Sequence, residues 1–106
     1  RTFGNYVTLQ HLEAPTVFLD NLTLTREMDG CIVLIENADP GFDWIFGQNI
    51  AGLITRFGGA NSHMVIRCSE LGVPAAIGIG QQAFSELISA PMIELDCAQK
   101  QVRRIE

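Results

Sequence analysis

His63 follows Gly58-Gly59-Ala60-Asn61-Ser62 and precedes Arg67 by one helical turn, an order of residue types suited to binding an anion and attacking it. Paired glycines permit positive φ and leave no side chain in the way, so backbone N–H groups can come close to a phosphate. Ser62 to Leu71 reads as a helix closed by Gly72 and Pro74, with Asn61 or Ser62 as its N-cap. Its first turn then offers unpaired donors and a positive partial charge. The same positive end opposes imidazolium formation at His63 and favours the neutral, nucleophilic ring. Donors placed in this way also stabilise charge that grows on phosphoryl oxygens during attack.

On that helix His63, Arg67 and Glu70 fall at i, i+4 and i+7, while Met64, Val65, Cys68 and Leu71 gather on an apolar side. Helical side chains lean toward the N-terminus, so Arg67 points back at His63 and is the first candidate for a phosphate clamp. The plain alternative is a solvated arginine paired with nearby acids. Thr55 and Ser62 are candidate hydroxyl donors to phosphate. Thr55 serves equally as a strand-end residue bonded to backbone, and Ser62 as an N-cap. Gly58 and Gly59 complete the candidate phosphate-binding set. Arg56, in the turn, ranks below Arg67, and His11 lies outside any motif.

The elements that must position these groups read as α/β. Cys31 to Ile35 is a continuous apolar run between turn residues, which predicts a central strand buried on both faces. A short helix over Asp43 to Gln48, packing Trp44 and Phe46 or Ile45, leads to a second strand, Ile50 to Thr55, as in a parallel crossover. Ala75 to Ile77 is a short strand and Gln82 to Ile88 a short helix. Met92 to Asp96 alternates like a half-buried strand, with Gln101 to Ile105 as its hairpin partner. Residues 3–24 read poorly: Tyr6 to Leu9 and Thr16 to Leu19 are strand-like, but Pro15 is expected to break them apart.

At 106 residues the chain fits a single domain, and 47% hydrophobic with 18% charged residues places it among folded proteins. Its formal net charge of -5 argues against nucleic acid and anionic membrane as partners. Cys31, Cys68 and Cys97 are odd in number and widely spaced, which suggests neither a disulfide framework nor a zinc site and fits a reducing cytoplasm. No apolar run is long enough to span a bilayer and no signal peptide is evident. The formal glycosylation acceptor Asn21-Leu22-Thr23 is therefore discounted. The chain opens on Arg1 rather than Met, as expected of a domain excised from a larger protein.

Thr55-x-x-Gly58-Gly59-x-x-Ser62-His63, continued by Ile66 and then Glu70-Leu71-Gly72-Val73-Pro74-Ala75-Ala76-Ile77-Gly78, resembles the phosphohistidine motif of the PEP-utilising enzymes, the family of phosphoenolpyruvate synthase and pyruvate phosphate dikinase. The resemblance covers residues 31–105 in outline and 55–78 in detail. It implies a swivelling β/β/α domain with a mixed sheet, short crossover helices and a C-terminal β-hairpin. It further implies that His63 takes a phosphoryl group derived from ATP on a separate ATP-grasp domain. That group would pass to an acceptor-binding domain, with pyruvate as the first expectation and another small molecule, such as an antibiotic, as a second. ATP and magnesium would belong to the companion domains, with no cofactor bound by this one. Two positions depart from the family pattern. Met64 replaces the usual small residue after the histidine, and Ser69 stands where an arginine is usual, which would pass a phosphate contact to Arg67 or Arg56. The rival expectations are a catalytically silent interaction or regulatory domain on the same scaffold, and a small metal-binding domain drawing on His63, His11, the cysteines and acids.

Overall fold

The computed structural model describes residues 1–20 and 27–106, so the Asn21-Leu22-Thr23 match lies outside the described residues. Four apolar residues in a row, Ile32 to Ile35, are all fully buried, as expected of a strand covered on both faces. They begin strand β3 (Ile32–Asn37), the middle strand of a seven-stranded mixed sheet. On one side of it lie β4 (Gly52–Phe57) and β5 (Ala75–Ile77), both parallel, and then β1 (Asn5–Val7), antiparallel to β5. On the other side lie β2 (His11–Phe18), parallel to β3, and the antiparallel pair β6 (Met92–Asp96) and β7 (Gln101–Ile105).

Alternation along β3 sends Val33 and Ile35 to one core and Ile32 and Leu34 to the other. The first core is roofed by a 3₁₀ segment, Pro40–Gln48, and by helix α1 (His63–Leu71), which bury Ile45, Met64 and Cys68. The second is closed by helix α2 (Gln81–Leu87), through Phe84 and Leu87, and by Ile93, Leu95 and Val102 of the β6–β7 hairpin. Each fully buried Ile or Leu contributes roughly 1.5–3 kcal/mol relative to an exposed one, so both layers hold the sheet firmly.

The α/β class, the central strand, the parallel crossover, the 75–77 strand and the terminal hairpin match expectation. Pro15 does not break the first region. β2 runs through it because the strand changes partner there: His11 to Pro15 pair with β6 and Thr16 to Phe18 with β3. Pro15 is exposed, as prolines in sheets generally are. The crossover between β3 and β4 is also not an α-helix. Pro40 opens it at a fixed φ, and Asp39 caps it by accepting from Gly41 N at 2.8 Å. Asn49 closes it in the left-handed conformation at φ 55.

Candidate functional site

β3 and β4 are parallel neighbours, so the 3₁₀ segment after β3 and the glycine turn after β4 emerge at the same end of the sheet. The carboxyl ends of parallel strands are where α/β folds place their ligands. Gly58 leaves β4 at φ +141, and a Cβ there would come within 2.7 Å of Ala38 Cβ and 2.8 Å of Ile77 Cγ2. Only glycine lets the chain turn so close to the sheet. Gly59 faces open space and accepts from Ser62 N at 3.1 Å, closing the turn that starts α1.

Ser62 occupies the N-cap position with extended backbone, and its carbonyl accepts from Ile66 N at 3.2 Å. Its hydroxyl makes no capping bond, and the buried Oγ has no hydrogen-bond partner among the described residues. An unpaired buried hydroxyl costs stability and is retained where something else uses it. Thr55 is placed differently. It is fully buried, its hydroxyl donates to Phe57 O at 2.7 Å, and it accepts from Gly78 N at 2.9 Å. The first bond is local to the end of β4 and the second ties it to the loop after β5, so the Thr55 hydroxyl supports the turn.

His63 is the first residue of α1, and Nε2 lies 2.7 Å from Asp43 Oδ1 of the 3₁₀ segment. Arg67, one turn on, donates from Nε to the same oxygen at 2.9 Å and from Nη1 to Glu70 Oε1 at 3.0 Å. Its guanidinium also lies over the Phe46 ring, 5.6 Å from the centroid. The expected return of Arg67 toward His63 is thus present, with Asp43 between them. Hydrogen bonds from His63 first and Arg67 second hold the Asp43 carboxyl below its usual range, and those from Asp43 and Glu70 raise Arg67. All three side chains stay partly exposed, His63 33%, Arg67 31% and Asp43 41%, so an incoming group can reach them.

Arg56 is committed elsewhere, to Glu36 Oε2 at 3.0 Å and to the Phe57 ring. Met64 and Cys68 lie in the core beneath α1, whereas Leu71, expected on that apolar side, is exposed. Met64 thus spends its bulk inside the core, on the opposite side from His63's chemistry. Burial pushes the Cys68 thiol up to about 12, which leaves it a poor nucleophile. Ser69 is exposed. His11 is remote, on β2, and among the described residues no three His, Cys, Asp or Glu side chains gather as metal ligands.

Asp43 is the residue that sequence reasoning missed, read only as the start of a short helix. The available signal was topological. A crossover between adjacent parallel strands starts at the strand end where the glycine turn after the second strand also begins, so an acid early in it faces His63 from 20 residues away.

Residues 27–100 match the family model for the PEP-utilising enzyme mobile domain. The chain is 31% identical over 71 residues to a phosphoenolpyruvate synthase of Deinococcus radiodurans, covering 67% of this chain and 9% of that protein. It is also 31% identical over 83 residues to a phosphoenolpyruvate synthase of Aquifex aeolicus, covering 78% and 10%. The chain therefore spans about a tenth of the length of these curated relatives. The matched segment holds the glycine turn, His63 and Arg67, and the chain belongs to the PEP-utilising enzyme mobile-domain family.

Proposed function

We propose that this domain carries a phosphoryl group on His63 between two companion domains, one of ATP-grasp type that supplies it and one that binds the acceptor, pyruvate or phosphoenolpyruvate. The observation that carries this reading is the convergence of His63 Nε2 and Arg67 Nε on a single point, 2.7 and 2.9 Å away, at the start of a helix. That point is held by a carboxylate oxygen, an anion in the place where a phosphoryl oxygen would be received.

In the transfer, a ring nitrogen with a free lone pair attacks phosphorus. An N–P bond forms, the P–O bond to the donor breaks, and the donor oxygen leaves with the electron pair. Arg67 pairs with the phosphoryl oxygens as charge develops there. The Ser62 hydroxyl and the first N–H groups of α1 add donors, Gly59 keeps the approach free of a side chain, and Gly58 lets the turn lie close on the sheet. Thr55 positions the turn through Gly78. ATP and its magnesium stay on the companion domain. The return step reverses the sequence onto the acceptor and leaves the ring free.

Full-length protein incubated with magnesium and ATP labelled on its β- and γ-phosphates is expected to acquire an acid-labile, base-stable label. His63→Ala abolishes it. Label that survives this substitution overturns the proposal.

A further inference from the structure

The bond between Nε2 and Asp43 Oδ1 requires a proton between them, because two bare lone pairs would repel. With Asp43 ionised, that proton sits on Nε2, and a protonated Nε2 has no electron pair with which to attack. Arg67, the cation best placed to hold phosphoryl oxygens, is paired with the same Oδ1. A phosphoryl group bonded to Nε2 would carry its oxygens into the space that Oδ1 occupies, against a carboxylate of like charge. Asp43 belongs to the 3₁₀ segment, which Ile45 holds in the core and Asn49 ties to Gly30 N, while the Asp43 side chain itself is 41% exposed and can turn away without moving those anchors.

We propose that Asp43 is a placeholder for the phosphoryl group, a positioning residue that holds Nε2 and Arg67 in the idle domain and is displaced from both when His63 is phosphorylated. This deepens the phosphoryl-carrier reading and rests on it. When Asp43 withdraws, Nε2 gives its proton to solvent and Nδ1 takes one up, so the neutral ring carries its one proton on Nδ1 and presents the Nε2 lone pair. The N–P bond forms at Nε2 as the donor P–O bond breaks, and Arg67 exchanges a carboxylate for phosphoryl oxygens. When the group leaves for the acceptor the N–P bond breaks with its electron pair on Nε2, Asp43 returns, and Nε2 is reprotonated from solvent as Nδ1 gives its proton up. The contact thus favours the unphosphorylated state and helps drive delivery.

The test is the fraction of His63 labelled in full-length protein at limiting ATP without acceptor, and the lifetime of that label after ATP is removed. Asp43→Asn keeps the shape and an acceptor oxygen but removes the charge. Its labelled fraction is expected to rise roughly threefold, the scale of an exposed ion pair, with a longer lifetime. Asp43→Ser should move both quantities in the same direction. A general loss of structure lowers labelling, so a rise cannot come from damage. Labelling unchanged or lowered in both variants, in a protein whose wild type labels at His63, overturns the placeholder alone. Wild-type protein that does not label at His63 overturns the carrier reading and this one with it.

Discussion

His11 and His63 each place Nε2 2.7 Å from a carboxylate oxygen, Glu94 in the first case and Asp43 in the second. Each carboxylate also meets an arginine, Arg103 and Arg67 respectively. The two regions differ in where the donors point. At His11 the imidazole takes Glu94 Oε2 and Arg103 takes Oε1, so the carboxylate stands between them. At His63 the ring and the guanidinium converge on one oxygen, Oδ1. Donors that converge on a point can exchange one anion for another. His11 also has Asp96 3.9 Å from Nδ1, and it lies at the exposed first residue of β2 rather than at a helix start. A surplus of carboxylates repels a phosphoryl group. A histidine–carboxylate contact by itself therefore does not distinguish the two regions; the cation aimed at the same point and the helix end do.

Substituting the histidines breaks this comparison most directly. His63→Ala should lower phosphoryl labelling and overall turnover of the full-length protein by a factor on the order of 10³ or more, because the atom that forms the bond is gone. His11→Ala should leave both within about twofold, a surface change away from the chemistry. Comparable losses from the two would remove the distinction.

The arginines sharpen it. Arg67→Ala is expected to slow labelling by roughly 10²-fold, the scale of losing one charge-stabilising donor, with partial recovery in Arg67→Lys. Arg103→Ala should not change the labelling rate. Single-turnover labelling of each variant reads this out, and equal rates for Arg67→Ala and wild type would leave the convergence without a function.

The glycine turn is the third difference, and its two residues should fail in different ways. Gly58→Ala meets Ala38 and Ile77 at 2.7 and 2.8 Å with φ at +141, so it is expected to destabilise the fold by about 2–4 kcal/mol in denaturant melts. Gly59→Ala points into open space and should stay within about 1 kcal/mol, its effect falling on labelling instead. A large stability loss at Gly59 would mean that the turn is built for packing alone.

Much of this was legible in the sequence because local rules and tertiary placement agree. The apolar run Ile32 to Ile35 admits one reading, a strand covered on both faces, and Gly72 then Pro74 can only end a helix. His63, Ser62 and the glycines are adjacent in the chain, so their meeting needs no knowledge of the fold. Asp43 was illegible for the opposite reason: its contact crosses two elements, and nothing in its neighbours reports the partner. Pro15 misled because the ladder it interrupts changes partner at that point. Thr55 carried two readings in the sequence, and in the structure its hydroxyl bonds Phe57 O and Gly78 N. Leu71 fits the apolar wheel but lies at the helix end, beyond the sheet that would cover it.

The smallest expected effect concerns His11 and is read from pH. Glu94 raises the ring above its ordinary 6.5, with Asp96 adding to this, and Glu94 is held below 4.5 by His11 first and Arg103 second. A raised histidine stabilises the fold fully below its unfolded value and loses that contribution as pH climbs through the folded one. A lowered glutamate contributes above its unfolded value and loses the contribution as pH falls. The pair therefore acts together between 4.5 and 6.5 and fades on either side. His11→Gln should lower Tm by about a degree near pH 5.5 and leave it unchanged near pH 9, a small shift because the side chain is 53% exposed. Thermal melts at the two pH values decide it, and an equal deficit at both would show that His11 acts through packing. His63 differs in that its carboxylate partner is proposed to leave on phosphorylation, so of the two contacts only the one at His11 is expected to persist through the reaction.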